Sequence, residues 1–504
     1  MIKKNNKEVG FILKGTQNID SIYHGTDLVF EQGFTREQTG VPPITTNYQT
    51  IGKDLKDYRI YGNSVQNGTP TPDNPIEIQS VGDKTKNLFD KSKVTLDKRL
   101  YTNDTNLHAD TISLDFFTSE FIKVEPNTQY YYSEIGTTYT TRLLMANSNK
   151  GFIKNIDGNT NPIITTTADT EYVIFCGLKS DINNFMFAKS SDIVEYEPFG
   201  YRIPVNVKGK NICNPNSFTN TGKLLDGTTG SLNSNNNYKT TDFIFIKAGT
   251  YTLSLDNTYG GTIYTTTRMC LYNTNYGYTG NVVNDTSERP THPIYTFTIA
   301  NDCYYRLSVR NTDTNIQLEK SGTETPYEPY VSPRTTNIYL NEPLRKIGDY
   351  ADYIDFKNSK VVRNLGYRVF TRITTNTAYD STLSATLEFN LSNSVHLSPI
   401  LSNRAVNGNI VADSNIGQAR IYQGYFQIRV KYPDGITNAN TKAEKRVAYN
   451  QWLSNHNIDL IYRLNTPTEE TIELPDIPTF RGTTTYSVDT NIQPSNMYIM
   501  YNSK

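Results

Sequence analysis

The feature that most constrains this chain is that it carries one β-module twice. Lys86-Asn87-Leu88-Phe89-Asp90 returns as Lys210-Asn211-Ile212-Cys213-Asn214. Thr141-Arg142-Leu143-Leu144-Met145-Ala146-Asn147-Ser148-Asn149-Lys150-Gly151 returns as Thr267-Arg268-Met269-Cys270-Leu271-Tyr272-Asn273-Thr274-Asn275-Tyr276-Gly277. The stretch from Lys189-Ser190 to Tyr196-Glu197-Pro198-Phe199 returns as Lys320-Ser321 to Tyr327-Glu328-Pro329-Tyr330. Three matches in one order, displaced by 124, 126 and 131 residues, describe a duplicated domain whose loops have changed length. A unit of about 125 residues has the size of one β-sandwich or jelly roll. Tandem non-catalytic sandwiches give an adhesive or architectural protein reach and avidity, so the duplication points to binding or structure before chemistry.

At 504 residues the chain is too long for a single core, and roughly three or four domains are expected. Thr, Asn, Tyr, Ile and Val crowd the sequence, which favours pleated, half-buried surfaces and a mainly β fold. The 49 basic and 50 acidic residues are scattered singly. That pattern offers no electrostatic footprint for nucleic acid or an anionic membrane. No stretch approaches the roughly 18 apolar residues of a membrane span, and no apolar run follows the charged Met1–Lys7 segment, so neither membrane insertion nor an export signal is expected. Cys176, Cys213, Cys270 and Cys303 have no CxxC spacing and read as small buried hydrophobes of a protein assembled in reducing cytoplasm.

Spacing divides the chain into five parts. Residues 1–52 form an anchoring leader with two short strands around His24-Gly25-Thr26, too small for a core of its own and suited to completing one in a neighbouring subunit. Residues 53–83 are connecting strands broken by the Pro-rich turn from Gln66 to Pro75. The two modules occupy 84–199 and 208–330 as tandem β-sandwiches of jelly-roll, carbohydrate-binding-like type. A C-terminal β-domain follows over 332–504, with one helix at about 441–455 whose apolar face would comprise Ala443, Val447, Ala448 and Trp452. Trp452 is expected to anchor that helix in the core.

No catalytic residue, metal ligand or cofactor site emerges. His24, His108, His292, His396 and His456 have no HxxxH or HxH spacing, and no GxSxG or phosphate-cradling glycine loop is present. The chain is therefore not expected to be an enzyme, although paired carboxylates for glycoside cleavage would show only in space. Arg142 and Arg268 hold the same position in the two copies, where a planar donor fork could meet a sugar or a carboxylate, or form an ion pair on the solvent face. The loop Asn273 to Tyr278, with Asn275 and Tyr276 within it and Tyr259 and Tyr264 nearby in sequence, offers amides for hydroxyls and rings for sugar faces, the composition of a glycan site and equally of an ordinary loop.

The run from Tyr58-Arg59-Ile60-Tyr61-Gly62 through Thr69-Pro70-Thr71-Pro72-Asp73-Asn74-Pro75 to Val81-Gly82-Asp83, followed by Lys86-Asn87-Leu88-Phe89-Asp90, resembles a segment of tail and baseplate proteins from phages and prophages of Gram-positive bacteria. Gln317-Leu318-Glu319-Lys320-Ser321-Gly322-Thr323 to Tyr330, Leu344-Arg345-Lys346-Ile347-Gly348-Asp349, and Leu460-Ile461-Tyr462-Arg463-Leu464 to Glu470 are similar to later parts of those proteins. The resemblance spans about residues 19–501 and carries no catalytic residues with it. It implies a virion component of a tail tip, baseplate or fibre, made in the host cytoplasm. Other tail proteins would be its partners through the N-terminal segment, host-surface polysaccharide its ligand, and a homo-oligomer, a trimer first, its assembly. A tail polysaccharide depolymerase, or a purely architectural spacer or head fibre, are the alternatives.

Overall fold

The computed structural model describes residues 59–101, 103–109, 113–133, 142–156, 162–257, 266–287, 290–374, 380–391, 395–410, 412–477 and 484–494, together with short strands between residues 3 and 31. The fold is mainly β. In the leader, Ser21–His24 pairs antiparallel with Asp27–Glu31.

The two repeats have one strand order. In the first, a six-stranded sheet runs Thr95–Leu96, Phe116–Thr118, Tyr172–Leu178, Arg142–Ala146, Phe152–Ile156, with Ile122–Lys123 also on Tyr172–Leu178. A three-stranded sheet faces it, in the order Ile163–Thr165, Gln129–Tyr132, Phe187–Lys189. The second repeats this order strand for strand. Its large sheet runs Asn220–Leu225, Leu232–Thr240, Cys303–Arg310, Thr267–Tyr272, Tyr278–Asp285, with Ile244–Ile246 on Cys303–Arg310. Its small sheet runs Ile294–Ile299, Gly249–Asp256, Thr314–Glu319. Alternation places every second side chain between the sheets. Phe117, Tyr130, Met145, Phe175 and Phe187 fill the first core, and Tyr251, Leu253, Met269, Tyr305 and Leu318 fill the second.

The motifs that betray the duplication build the root of each module. Asn87 is buried at 3% exposure. Its Oδ1 accepts from the Phe89 and Phe187 amides at 3.0 and 3.1 Å, and its Nδ2 donates to the Phe185 and Glu197 carbonyls at 3.2 and 3.0 Å. Asn211 does the same in the second copy, accepting from Cys213 and Leu318 at 2.9 and 3.2 Å and donating to Ile316 and Glu328 at 2.9 and 3.1 Å. One side-chain amide thus ties the entering segment, the closing strand and the Tyr-Glu-Pro exit together. The glutamates add to the clasp: the Lys86 amide donates to Glu197 at 2.9 Å, and Lys210 Nζ lies 3.1 Å from Glu328.

The segment between the modules is no loose connector. Tyr201–Gly209 is the middle strand of a four-stranded sheet, paired along one side with Arg334–Leu340 and along the other with Asp83–Lys84 at its start and Thr484–Val488 at its end. Pro204 would ordinarily interrupt a central strand, because it donates no hydrogen bond. Here it falls in the gap between Asp83–Lys84 and Thr484–Val488. Its carbonyl accepts from the Asp489 amide on that side, so the donor it lacks would have pointed into the same gap. Residues 59–84 are likewise structural: Arg59–Tyr61 extends a sheet through Tyr353–Asp355, and Val81 bridges to Leu344. A Cβ on Gly62 would lie 2.4 Å from the Arg345 carbonyl oxygen, so only glycine allows these strands to approach. The scaffold is therefore assembled from segments before, between and after the modules around Ile60, Val81, Ile203, Val207, Ile338, Ile354, Val361 and Val488.

Two long strands, Lys360–Phe370 and Ile458–Thr471, carry this scaffold into the C-terminal core. There Phe370 and Leu460 pack on Ala385, Phe389, Phe426 and Ile428 and on the helix. That helix spans Lys442–Asn455. Thr441 caps it, accepting from the Glu444 amide while Glu444 accepts from the Thr441 amide. Its buried face corrects the one read from spacing: Val447 is 66% exposed and Ala443 also faces solvent, while Lys445, Tyr449 and Leu453 are buried. The buried lysine is the reason. Its Nζ donates to Asp380 at 3.0 Å and to the Asn438 carbonyl at 3.1 Å, so a polar residue occupies a core-facing position. Trp452 is only partly buried and stacks on His456 at 4.5 Å; Tyr449 and Leu453 are the anchors.

Replacing Asn87 or Asn211 with Ala orphans two amides and two carbonyls at a module root. Each substitution should cost about 3 kcal/mol, read in urea unfolding as loss of one module's transition at lower denaturant, while Asn275→Ala in an exposed loop leaves the profile unchanged.

Candidate functional site

The residues singled out from sequence divide sharply by what they touch. Arg142 Nη1 donates to the Leu100 carbonyl and Arg268 Nη1 to the Leu225 carbonyl, both at 2.5 Å. Arg268 Nε also donates to Asn284 Oδ1 at 2.9 Å. Arg142 thus ties the Arg99–Tyr101 strand, which pairs with Asp104–His108, to the first module's large sheet, and Arg268 ties the edge strand Asn220–Leu225 to Thr267–Tyr272 within the second module's. Asn273 Oδ1 accepts from the Asn275 and Gly277 amides, each at 2.9 Å. Asn147 does the same for Asn149 and Gly151 at 3.0 and 2.9 Å. Both turns pass through a left-handed residue, Lys150 at φ 63° and Tyr276 at φ 60°. These asparagine amides shape a turn. Tyr278 donates to the Gly227 carbonyl at 2.9 Å. Asn275 and Tyr276 are exposed, and Tyr259 and Tyr264 lie outside the described residues.

Tyr276 stands in an aromatic row on the outer face of the second module's large sheet. Its ring centre is 4.8 Å from Phe243 and 4.9 Å from Tyr304. Tyr304 is 5.7 Å from Phe245, its cross-strand partner. Phe245 and Tyr276 are 49% and 53% exposed. Below them Tyr272 meets Phe243 edge-on at 4.8 Å and donates to the Gly230 carbonyl at 2.6 Å. Arg306, buried, stacks its guanidinium 4.7 Å from the Phe243 ring centre and donates from Nε to the Thr241 carbonyl. The hydrogen bond with the Tyr304 hydroxyl raises the Tyr276 pKa above its ordinary 10, so Tyr276 remains a neutral phenol at physiological pH. The row offers ring faces and hydroxyls with no free cation among its members. Phe243, Phe245 and Tyr304 escaped the sequence reading. The available signal was the exchange of Lys150 for Tyr276 inside otherwise matching turns.

Elsewhere, ionisable groups serve structure. His292 sits between Asp256, 2.6 Å from Nδ1, and Glu324 at Nε2. His108 pairs with Asp104 at 3.0 Å and stacks on Tyr101 at 3.7 Å. Among the described residues no three His, Cys, Asp or Glu side chains group as a metal ion's ligands, and no helix is long and apolar enough to cross a membrane. All four cysteines are buried and free, and burial pushes the Cys213 thiol up to about 12. An open groove of about 1180 Å³ runs between the first module and the scaffold past Asp90, Tyr196, Phe199, Glu342, Glu470 and Glu473. Three of its acids are engaged, Glu470 by Asn341 at 2.6 Å, Glu342 by Arg345 at 2.6 Å and Asp90 by the Ser92 amide and hydroxyl at 3.0 and 2.6 Å.

Comparison of the chain with protein-family models, with curated proteins and with solved structures gives no match.

The His292 tie sets a pH dependence. Glu324 and Asp256 raise the imidazole above its ordinary 6.5, while Asn315 and then His292 lower Asp256 below 3.8. The histidine's contribution is fully present below pH 6.5 and is lost as pH rises through its raised value; the aspartate's is present above 3.8 and is lost as pH falls through its lowered one. The second module's melting temperature should accordingly fall as pH climbs from 6 to 9, and His292→Gln should flatten that slope, followed by scanning calorimetry in low salt.

Proposed function

We propose that this chain is a structural protein of a phage virion, part of a tail tip, baseplate or fibre, and that it contributes to attachment to host-surface polysaccharide. The two duplicated units are, in this reading, jelly-roll, carbohydrate-binding-like sandwiches carried on a common scaffold. The observation that carries the attachment role is the aromatic row of Phe243, Phe245, Tyr276 and Tyr304 on the second unit, in which Phe245 and Tyr276 are exposed and Phe243 and Tyr304 half-buried. Neutral aromatic faces beside hydroxyl groups suit sugar rings, which present an apolar C–H face and a polar edge.

The virion assignment draws on the resemblance to tail and baseplate proteins of Gram-positive phages. Of the segments that carry it, 59–83, 344–349 and 460–470 belong to the scaffold and the strands leading from it, while 86–90 and 317–330 build the module roots. On this reading the scaffold and the module roots are what such proteins have in common, and the leader joins the particle. The chain is made in the host cytoplasm and works as a homo-oligomer, a trimer first. A shallow site binds weakly as a single copy, and several copies on one particle multiply the occupancy.

The test compares monomeric protein with protein displayed at high density on beads, on Gram-positive cells and on cell-wall polysaccharide purified from them. Retention should depend steeply on valency. No retention by the densely displayed protein would favour a spacer or head fibre, and shortening of the polymer would favour a depolymerase.

A further inference from the structure

The duplication supplies an internal comparison of the two outer faces. The cross-strand pair Phe245 and Tyr304 of the second module corresponds to Lys123 and Tyr172 of the first. Phe243, just before the Ile244–Ile246 strand, corresponds to Phe121, just before Ile122–Lys123. Tyr276 corresponds to Lys150, the left-handed residue of the same turn. Two aromatic positions are therefore common to both faces, and two carry lysine in the first module but an aromatic ring in the second.

The exchange changes what the common rings can meet. In the first module the Lys150 ammonium lies 5.0 Å from the Phe121 ring centre and 5.8 Å from Tyr172. The protein's own cation covers both rings, a contact that competes with any ligand. In the second module Tyr276 extends the ring surface instead, and Phe245 prolongs it on the other side of Tyr304.

We infer that polysaccharide binding is confined to the second module and that residues 245 and 276 decide it, the ligand being an uncharged pyranose polymer; this rests on the attachment reading above. The charge pattern selects such a ligand. Arg306 is buried and committed to Phe243 and Thr241, and exposed Asp242 adjoins the row and disfavours an anionic chain. A second protein is a poor occupant. An aromatic side chain buries roughly 150–250 Å² when enclosed, so two half-exposed rings add on the order of 200 Å², against the roughly 800 Å² each partner contributes to a stable interface. The rings stand at centre distances of 4.8 to 5.7 Å, a spacing on the scale of one sugar ring.

The experiment uses the full chain in four forms: wild type, Phe245→Lys with Tyr276→Lys (the lysine form), Lys123→Phe with Lys150→Tyr (the aromatic form), and all four substitutions together. Each exchange installs the residue that the sister module carries at the same place in the same fold, so all four should melt alike. The probe is neutral cell-wall polysaccharide purified from a panel of Gram-positive bacteria and immobilised on beads. The lysine form should bind at least about tenfold more weakly than wild type, and the aromatic form should gain retention that survives when Phe245→Lys and Tyr276→Lys are added to it. Undiminished binding by the lysine form overturns the inference while leaving attachment intact. Binding of no polysaccharide by wild type overturns the attachment reading itself. A change of oligomeric state in the lysine form with binding unaltered assigns the face to subunit contact, which also overturns the inference.

Discussion

A buried side-chain amide closes each module at its root, and the rest of the architecture depends on it. A duplicated two-sheet unit must bring its first and last strands together before either sheet has an outer boundary. The amides of Asn87 and Asn211 do this with two donated and two accepted hydrogen bonds each, at sites shielded from water. Asparagine alone among the small side chains offers both a carbonyl oxygen and an NH₂ group on a short stem. Aspartate would lose the donors and bury a charge, and serine would not reach all four partners. Retention of Lys-Asn and Tyr-Glu-Pro in both copies thus has a physical cause that requires no ligand.

Closing a module at its root also fixes how it is mounted. The entering and leaving segments emerge side by side, and the scaffold sheet takes them up at once: Asp83–Lys84 leads into the first module, Tyr201–Gly209 leads out of it and into the second, and Arg334–Leu340 leads out of the second. Both modules are therefore insertions into one sheet whose middle strand is the segment between them. A flexible linker would let the units reorient independently. A central strand hydrogen-bonded on both sides, with Ile203, Val205 and Val207 in the core below, holds their roots in fixed register.

The parts of this fold that were legible in the sequence are those written in local chemistry. The repeated motifs foretell one strand order in both modules, and helical spacing locates the helix at about 441–455. Long-range pairing was not legible: nothing local to Tyr201–Gly209 says that its partners come from residues 83, 334 and 484, and Pro204 argues against a central strand until the gap beside it is seen. The helix face was misread because Lys445, a charged residue by composition, is buried by a partner that lies 65 positions away. Arg142, Arg268 and Asn273 were visible as repeated positions, but repetition alone does not separate a residue kept for the fold from one kept for a ligand.

The differences between the two copies bear on that ambiguity. Positions alike in both modules are bonded to the chain itself: the root asparagines, the arginines that donate to the Leu100 and Leu225 carbonyls, and Asn147 and Asn273 within their turns. Folding demands the same of each copy, so these residues cannot distinguish what the copies do. The outer face is free of that demand. At positions 123 and 245 and at 150 and 276 the backbone is the same, down to the left-handed turn residue, while the side chain passes from ammonium to aromatic ring. An exposed lysine keeps a strand face soluble with little loss of stability, whereas an exposed phenylalanine beside an exposed tyrosine leaves apolar surface in water that only a contact with something else removes. On the attachment reading proposed above, a difference confined to one patch of one copy, where the matching backbone makes no demand for it, is where function would be added to a duplicated fold.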